Sequence, residues 1–156
     1  MQLAYALSTI AVALAAASPH TKRAAIDDCL STAKVPVDAR NSSDWKVDVH
    51  TYNQRLLYTP AAIAIPSTVE HIQAAVSCAA KAGVKVTPKC GGHSYASFGL
   101  GGEDGHLVLQ LDRMDKVTLD PDTQIATVQP GARLGHVAME LYEQGNRAFS
   151  HGTCPA

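Results

Sequence analysis

The sequence predicts a mixed α+β fold in which a βαβ unit is followed by antiparallel strands and a helix. Three short apolar runs, at 62–65, 84–87 and 106–111, each begin or end beside a proline or glycine, as buried strands do. A segment with apolar residues at helical spacing separates the first two runs. Turn-forming residues at 120–123 separate two segments that read as hairpin strands. At 156 residues the chain is long enough for one domain with a buried core.

The N-terminal third shows no chemical motif. Residues 26–33 predict a short helix that ends before Pro36. Asp27 and Asp28 fall in the first turn of that helix, where negative charge interacts favourably with the helix dipole. Residues 45–58 alternate loosely and predict a short strand.

The βαβ unit is the best-defined part of the pattern. The apolar run at 62–65 predicts a buried strand. Ser67 and Glu70 match a capping box, with Ser67 as the N-cap of the following helix. Gly83 stands where a C′ glycine belongs, and residues 84–87 predict the second strand. A right-handed crossover is expected for such a unit.

A glycine-rich loop at 89–102 leaves the second strand and contains five of the eleven glycines. It therefore follows the carboxyl end of a strand, where open α/β sheets bind their ligands. Consecutive backbone N–H groups in such a loop can bind an anion. The loop neither opens a helix nor contains Gly-Lys-Ser/Thr, so it is neither a Rossmann fingerprint nor a P-loop.

The remaining elements follow in order. Residues 106–111 predict a strand, and 114–119 is its predicted partner. Residues 125–129 alternate as a hairpin strand does. Residues 134–144 have helical spacing and end at Gly145.

Composition excludes two classes of partner. The formal net charge is -1 and the pI is about 6.6, whereas a nucleic-acid binder is usually basic. After the leader, no run of eighteen apolar residues predicts a membrane-spanning helix.

The N-terminus predicts secretion to the extracellular space. Residues 3–17 form a weakly apolar run that ends in small residues, as a signal peptide does, although the usual positive charges before it are missing. The alternative is a buried core helix. Lys22 and Arg23 are either a dibasic propeptide site, leaving Ala24 as the mature start, or a flexible basic pair. Asn41 begins an N-glycosylation tripeptide.

The cysteines leave alternatives open. There are four, at Cys29, Cys78, Cys90 and Cys154, which allow three disulfide pairings that sequence alone cannot choose between. The pairs Cys90-x-x-His93 and His151-x-x-Cys154 could also form a Cys₂His₂ zinc site. The glycine density, which zinc does not need, and the oxidising compartment argue against zinc.

The side chains themselves offer little catalytic chemistry. No Gly-x-Ser-x-Gly nucleophile elbow is present, and Glu103 with Asp104 is interpreted as a solvated turn. Four further histidines have no partner at motif spacing and are interpreted as structural: His50, His71, His106 and His136. This shortage favours a bound cofactor as the source of the chemistry.

Several stretches together resemble secreted FAD-linked oxidases of the vanillyl-alcohol-oxidase and berberine-bridge-like type. Within that family the chain looks most like the fungal glucooligosaccharide and chitooligosaccharide oxidases. The stretches that carry the resemblance are Lys89–Tyr95, Gly101–Leu107, Pro60–Pro66, Pro130–Gly135 and Gly145–Ala156. The fold implied is the N-terminal portion of a PCMH-type FAD-binding domain, truncated.

The resemblance implies roles for particular residues. His93 matches the histidine that bonds covalently to the flavin 8α-methyl group, and Cys154 matches the cysteine that bonds to flavin C6. Two sets of residues match the phosphate-side loops around FAD: Gly91, Gly92, Ser94 and Tyr95 in the first, Gly152 and Thr153 in the second. No metal site is implied.

The implied reaction is oxidation of the anomeric carbon of a reducing-end saccharide, with O₂ as acceptor and a lactone and hydrogen peroxide as products. The catalytic base of the family, a tyrosine, is expected downstream of Ala156, so no catalytic residue is assigned in this chain. The chain alone is expected to be an inactive fragment. The alternative is a non-catalytic secreted remnant that binds no flavin.

The resemblance also implies a disulfide between Cys29 and Cys78, which leaves Cys90 free. The predicted division of the chain is a signal peptide at 1–17, a propeptide at 18–23, an N-terminal extension at 24–58 and the first part of the FAD-binding domain at 59–156.

Overall fold

The computed structural model describes residues 18–154, so the predicted signal peptide lies outside the described residues. The elements in chain order are α1 (Pro19–Thr32), α2 (Ser43–Asp48), β1 (Ala62–Ala64), α3 (Val69–Ala82), β2 (Val86–Lys89), β3 (Leu107–Gln110), β4 (Val117–Leu119), β5 (Ala126–Val128) and α4 (Leu134–Gly145), with a 3₁₀ turn at Phe98–Leu100 before β3. The mixed α+β class is confirmed.

The three-stranded sheet is entirely parallel and has the order β1-β3-β2. The βαβ unit is present, but β3 lies between its two strands. The predicted pairing of 106–111 with 114–119 is wrong, because β1 and β2 already occupy both edges of β3. Instead, β4 pairs antiparallel with β5, with Val117 opposite Val128.

Alternation along the parallel strands separates two apolar layers. On one face the sheet packs against α1 and α3, in a cluster that includes Ile26, Leu30 and Leu107. On the other face, Ile63 and Val108 pack with the buried ring of Trp45 from α2. A third, smaller cluster joins α4 to β4. The sheet is therefore covered on both sides, as parallel sheets are.

Two predictions for the N-terminal third are wrong. Helix α1 begins at Pro19, not at residue 26, because Ser18 caps it and Pro19 is preset for the first helical position. Asp27 and Asp28 therefore lie well inside the helix. The strand predicted within 45–58 is not formed. This segment begins within the short helix α2, whose cap Ser42 accepts a hydrogen bond from Trp45 N at 3.0 Å, and continues as turns up to β1.

The ends of the later helices agree more closely. The cap of α3 is Thr68 and not Ser67, with the Thr68 hydroxyl accepting from His71 N at 3.2 Å. Gly83 ends α3 in the left-handed conformation, φ 61°, as predicted. Helix α4 ends at Gly145, and Asn146 takes the left-handed position after it.

Cys29 and Cys78 form a disulfide between α1 and α3, which is the pair that the resemblance implies. The Cα atoms are 5.6 Å apart and the two cysteines are separated by 49 positions in the sequence. Among the described residues, no helix has the length and apolar character needed to cross a membrane.

Candidate functional site

The glycine loop leaves the carboxyl end of β2 and folds back on itself. Ser94 closes it, since its carbonyl accepts from Ser97 N at 3.0 Å and its hydroxyl accepts from Phe98 N at 3.2 Å. Gly92 has φ +69°, a conformation that favours glycine. Within residues 18–154, the backbone N–H groups of 91–96 donate no hydrogen bond. The loop thus presents a row of unpaired donors, the arrangement that binds anions.

Lys89 supports the loop from below. Only 8% of this residue is exposed, and its Nζ donates to the Asp48 carbonyl at the end of α2 at 2.6 Å. Burial lowers the pKa of Lys89, while the Asp48 carboxylate, 3.6 Å from Nζ, opposes that shift. A Cβ on Gly92 would lie 3.0 Å from Lys89 Cε. The aliphatic stem therefore fills the space under the loop that a larger residue at 92 would need.

An open groove of about 590 Å³ lies between this loop, α2 and the end of β3. Its polar lining includes Lys89, Gln110, Asp112 and Arg133. Gln110 is 5% exposed, and its Oε1 has no hydrogen-bond partner within the described part of the chain. A buried acceptor without a hydrogen-bond partner is unusual in a folded protein. Its presence beside the groove is consistent with a polar ligand binding there.

The His93 side chain is exposed at the rim of the loop. The Tyr52 ring stacks on the His93 imidazole, with centroids 5.7 Å apart and planes inclined by 22°. On the other side, a Cβ on Gly91 would lie 2.6 Å from His93 Cδ2 and 2.5 Å from Arg133 Nη1. His93 therefore lies over a glycine that leaves its ring room.

The second predicted segment, Gly152 to Cys154, is exposed at the end of the described chain. A Cβ on Gly152 would lie 3.7 Å from Leu134 Cδ1, at the start of α4. The pKa of Tyr52 is raised, chiefly by its hydrogen bond with Tyr95 and then by the charge of Tyr95, with a smaller contribution from Cys154. The charge of Cys154 therefore acts on the Tyr52 hydroxyl, and the Tyr52 ring itself stacks on His93.

The free cysteines are Cys90 and Cys154 among the described residues. Cys90 is half-buried and packs against the core under the groove. No group of three or more His, Cys, Asp or Glu side chains within residues 18–154 could hold a metal ion.

At the amino end of the central strand β3, His106 is buried, and interpreting it as a histidine without a partner is wrong. Its Nδ1 is 2.9 Å from the Thr87 hydroxyl, and its Nε2 is 3.0 Å from Glu103 Oε1. Glu103 also forms an ion pair with Lys85, and these bonds lower the pKa of its carboxyl. The turn at Glu103 is therefore tied to β2 and β3 and is not simply a solvated turn.

Sequence reasoning missed the residues that surround the loop. Tyr52 and Asp48 lie in the segment that shows no motif. Gln110 ends β3 and Arg133 precedes α4, and neither has a distinctive spacing. Lys89 stands at the end of an apolar strand, but a lysine there is usually exposed, so its burial and its pairing with Asp48 could not be predicted.

The residues present fit a dinucleotide such as FAD. Unpaired N–H donors at 91–96 suit a pyrophosphate, and a Cβ at Gly91 would fill the cradle beside His93. Gln110 lines the adjoining groove, and its buried Oε1 has no hydrogen-bond partner within the described residues. His93, a nucleophilic side chain, stacks on Tyr52 at the rim of the same loop, and Cys154 is a second nucleophile that is exposed.

Comparison with known proteins gives the same family. The sequence model of the FAD binding domain matches residues 60–155. Xylooligosaccharide oxidase from Thermothelomyces thermophilus is 74% identical over 149 residues, which are 96% of this chain and 30% of that protein.

Two solved structures superpose closely. Xylooligosaccharide oxidase from Myceliophthora thermophila C1, in complex with xylobiose, matches with a TM-score of 0.81 and 76% identity over 84% of this chain and 28% of its own. Glucooligosaccharide oxidase from Acremonium strictum, described with a 6-S-cysteinyl, 8α-N1-histidyl FAD, matches with a TM-score of 0.80 and 54% identity over 84% and 27%. The chain thus spans less than a third of the length of these relatives.

Proposed function

The chain belongs to the FAD binding domain family, and from this premise we propose that it anchors the flavin of an FAD-dependent oligosaccharide oxidase. The observation that carries the proposal is the placement of His93 at the rim of a loop with unpaired N–H groups. When bound, FAD accepts a hydride from the anomeric carbon of a reducing-end sugar, giving a lactone, and O₂ takes the two electrons to form hydrogen peroxide.

His93 and Cys154 are the proposed points of covalent attachment. Each bond replaces one hydrogen on the protein, imidazole N–H or thiol S–H, and one hydrogen on a flavin carbon. The two hydrogens, with their electrons, leave on O₂ as hydrogen peroxide, so each linkage balances with the acceptor that the oxidase uses. Support comes from the position of His93, which stacks on Tyr52 at the rim of the glycine loop, and from the linkage described for the glucooligosaccharide oxidase.

The chain's own groups have distinct tasks in this proposal. The N–H groups of 91–96, with Gly91 and Gly92 allowing close approach, bind the pyrophosphate together with the Gly152–Thr153 segment. Lys89 holds the loop against α2 and gives the groove a positive side chain. The base that removes the sugar hydroxyl proton is assigned to no described residue.

The substrate is proposed to be a xylooligosaccharide. Identity to the xylooligosaccharide oxidase is 74%, against 54% for the glucooligosaccharide oxidase from Sarocladium strictum. Comparing kcat/KM for xylobiose, cellobiose and chitobiose on the full gene product tests this assignment. A preference for cellobiose or chitobiose by tenfold or more would contradict it.

Secretion and glycosylation at Asn41 form part of the same proposal. A disulfide between α1 and α3 and an exposed asparagine just before α2 are consistent with an oxidising export route. Enzymatic deglycosylation of the secreted protein is expected to lower its mass, and Asn41→Gln is expected to abolish that shift. An unchanged mass on deglycosylation of the wild type would contradict the assignment.

Acid precipitation of the full gene product tests the covalent flavin. We expect yellow flavin to remain with the precipitate, and peptide mass mapping to find it on His93 and Cys154. His93→Ala and Cys154→Ala are each expected to retain a single linkage, whereas Cys90→Ala, the matched thiol control, retains both. Complete release of FAD from the wild type would refute covalent attachment, and a protein without any FAD would support the non-catalytic remnant.

A further inference from the structure

The turn at 51–55 lies against the glycine loop through two neighbouring side chains. Tyr52 stacks on the His93 imidazole at 5.7 Å and meets the Tyr95 ring edge-on at 5.3 Å, with planes at 89°. Asn53 Nδ2 donates to the Tyr95 carbonyl at 2.7 Å. Tyr52 thus contacts the His93 ring, and Asn53 fixes the backbone at Tyr95, two residues after His93.

The turn is rigid enough to hold this arrangement. Thr51 is 3% exposed, and its hydroxyl donates to the Asn53 carbonyl at 2.9 Å. Asn53 Oδ1 accepts a hydrogen bond from Arg55 N at 3.1 Å, and the Asn53 backbone carbonyl accepts one from Leu56 N at 3.0 Å. The Asn53 side chain therefore bonds the turn with its oxygen and the glycine loop with its nitrogen.

Burial of the Tyr52 side chain contributes little to the stability of the fold, because 56% of the residue is exposed. Its ring contacts side chains of the candidate site rather than the core clusters. The His93 imidazole makes no hydrogen bond within residues 18–154, so no polar contact there fixes its rotation. The His93 ring lies between the Gly91 backbone and the stacked Tyr52 ring, and Tyr52 is the side chain that restricts the orientation of the imidazole plane.

We propose that Tyr52 is a positioning residue for flavin attachment: its ring holds the His93 imidazole in the orientation from which the ring nitrogen bonds to the flavin. Asn53 contributes by fixing the Tyr95 backbone. This inference rests on the proposed function, since it concerns the rate at which His93 forms its covalent bond. It places a functional contact in a segment outside the matched domain at 60–155.

The expected effect is moderate and specific. Aromatic stacking contributes about 0.5–1.5 kcal/mol beyond burial, which corresponds to a change of roughly 2- to 12-fold in the population of the stacked orientation. Tyr52→Ala is therefore expected to slow covalent incorporation by roughly 2- to 12-fold. Tyr52→Phe keeps the ring and loses only the hydroxyl, so it is expected to attach flavin at the wild-type rate.

The experiment uses apoprotein of the full gene product, produced in a riboflavin-starved host and mixed with FAD. Samples are quenched in acid over time, and flavin on the His93 peptide is measured by fluorescence and mass. Gln54→Ala, an exposed change in the same turn, is the matched control and is expected to behave as the wild type. Tyr52→Leu retains an apolar side chain without a ring and repeats the test if Tyr52→Ala fails to fold.

A second measurement separates positioning from simple binding. In a background that carries both His93→Ala and Cys154→Ala, where no covalent bond can form, Tyr52→Ala is expected to leave the affinity for FAD unchanged within about twofold. An unchanged attachment rate in Tyr52→Ala, or an equally slow rate in Tyr52→Phe, would overturn the inference. So would a wild-type rate combined with a raised KM for the sugar, since Tyr52 would then contact substrate. A wild type that forms no His93 linkage at all would instead overturn the proposed function.

Discussion

Removing the disulfide between α1 and α3 should cause a large loss of stability that can be calculated from the chain. Replacing Cys29 and Cys78 by alanine opens a loop whose ends are 49 positions apart. The loop-entropy relation gives about 4 kcal/mol at 25 °C for a loop of this length. Cys78 is only 2% exposed, so the lost sulfur contact adds to the effect rather than offsetting it.

Urea unfolding of the flavin-free protein measures this change without a contribution from ligand binding. With a slope of about 1–3 kcal/mol/M, a loss of 4 kcal/mol lowers the midpoint by roughly 1–4 M. Cys90→Ala is the matched control, because it removes a half-buried thiol that forms no disulfide. A double alanine variant whose midpoint falls no further than that of Cys90→Ala would refute the reasoning and show that packing alone holds α1 on α3.

Two further predictions concern single positions. In Gly105→Ala the new Cβ has open space around it, so only the backbone strain at φ +86° is expected to lower the free energy of unfolding, by about 1–2 kcal/mol. In Gly101→Ala, at φ +99°, the Cβ would also lie 2.3 Å from His106 Nδ1, and the free energy of unfolding is expected to fall by about 1–3 kcal/mol more. Equal midpoints in urea for these two variants would contradict the clash. Burial, followed by the hydrogen bond and charge of Asp48, raises the pKa of Asp38 to about 7. Because the folded-state pKa is the higher one, the stabilisation is full below about pH 4 and is lost as the pH rises through 7. Asp38→Asn is expected to reduce this pH dependence of the urea midpoint, and an unchanged dependence would assign it to other groups.

The elements that the sequence predicted well are those whose signals are local. The cap near Thr68, the apolar spacing of α3 and the left-handed Gly83 lie within one helix, and each acts over a few residues. Strand order is different, because it depends on which backbone edge remains open after the crossover. The insertion of β3 between β1 and β2 could not be predicted from the apolar run at 106–111, and it also determined that β4 had to pair elsewhere.

The residues of the candidate site also separate into those with a local sequence signal and those without one. His93 and the glycines around it could be found because the loop concentrates them in one short stretch. Tyr52 and Asp48 could not, because they reach the loop from about forty residues away and belong to no repeating pattern. Their segment has weak alternation and contributes one large apolar side chain, Trp45, to the core, so its role depends on tertiary packing that no local rule describes.

The contacts of the segment before β1 give it a place in the site. At the start of the glycine loop, the Asp48 carbonyl accepts a hydrogen bond from the Lys89 ammonium. In the middle of the loop, the Asn53 amide donates a hydrogen bond to the Tyr95 carbonyl. Thr59 bonds its far end, since its N–H donates to Asp104 Oδ1 at 2.7 Å and its carbonyl accepts from Gly105 N at 2.9 Å. Glycine makes a loop compliant, and a compliant loop positions a reactive histidine only when other elements restrain it. These restraints therefore explain how a glycine-rich segment can hold His93 in place, and they connect residues 48–59 physically to the matched domain at 60–155.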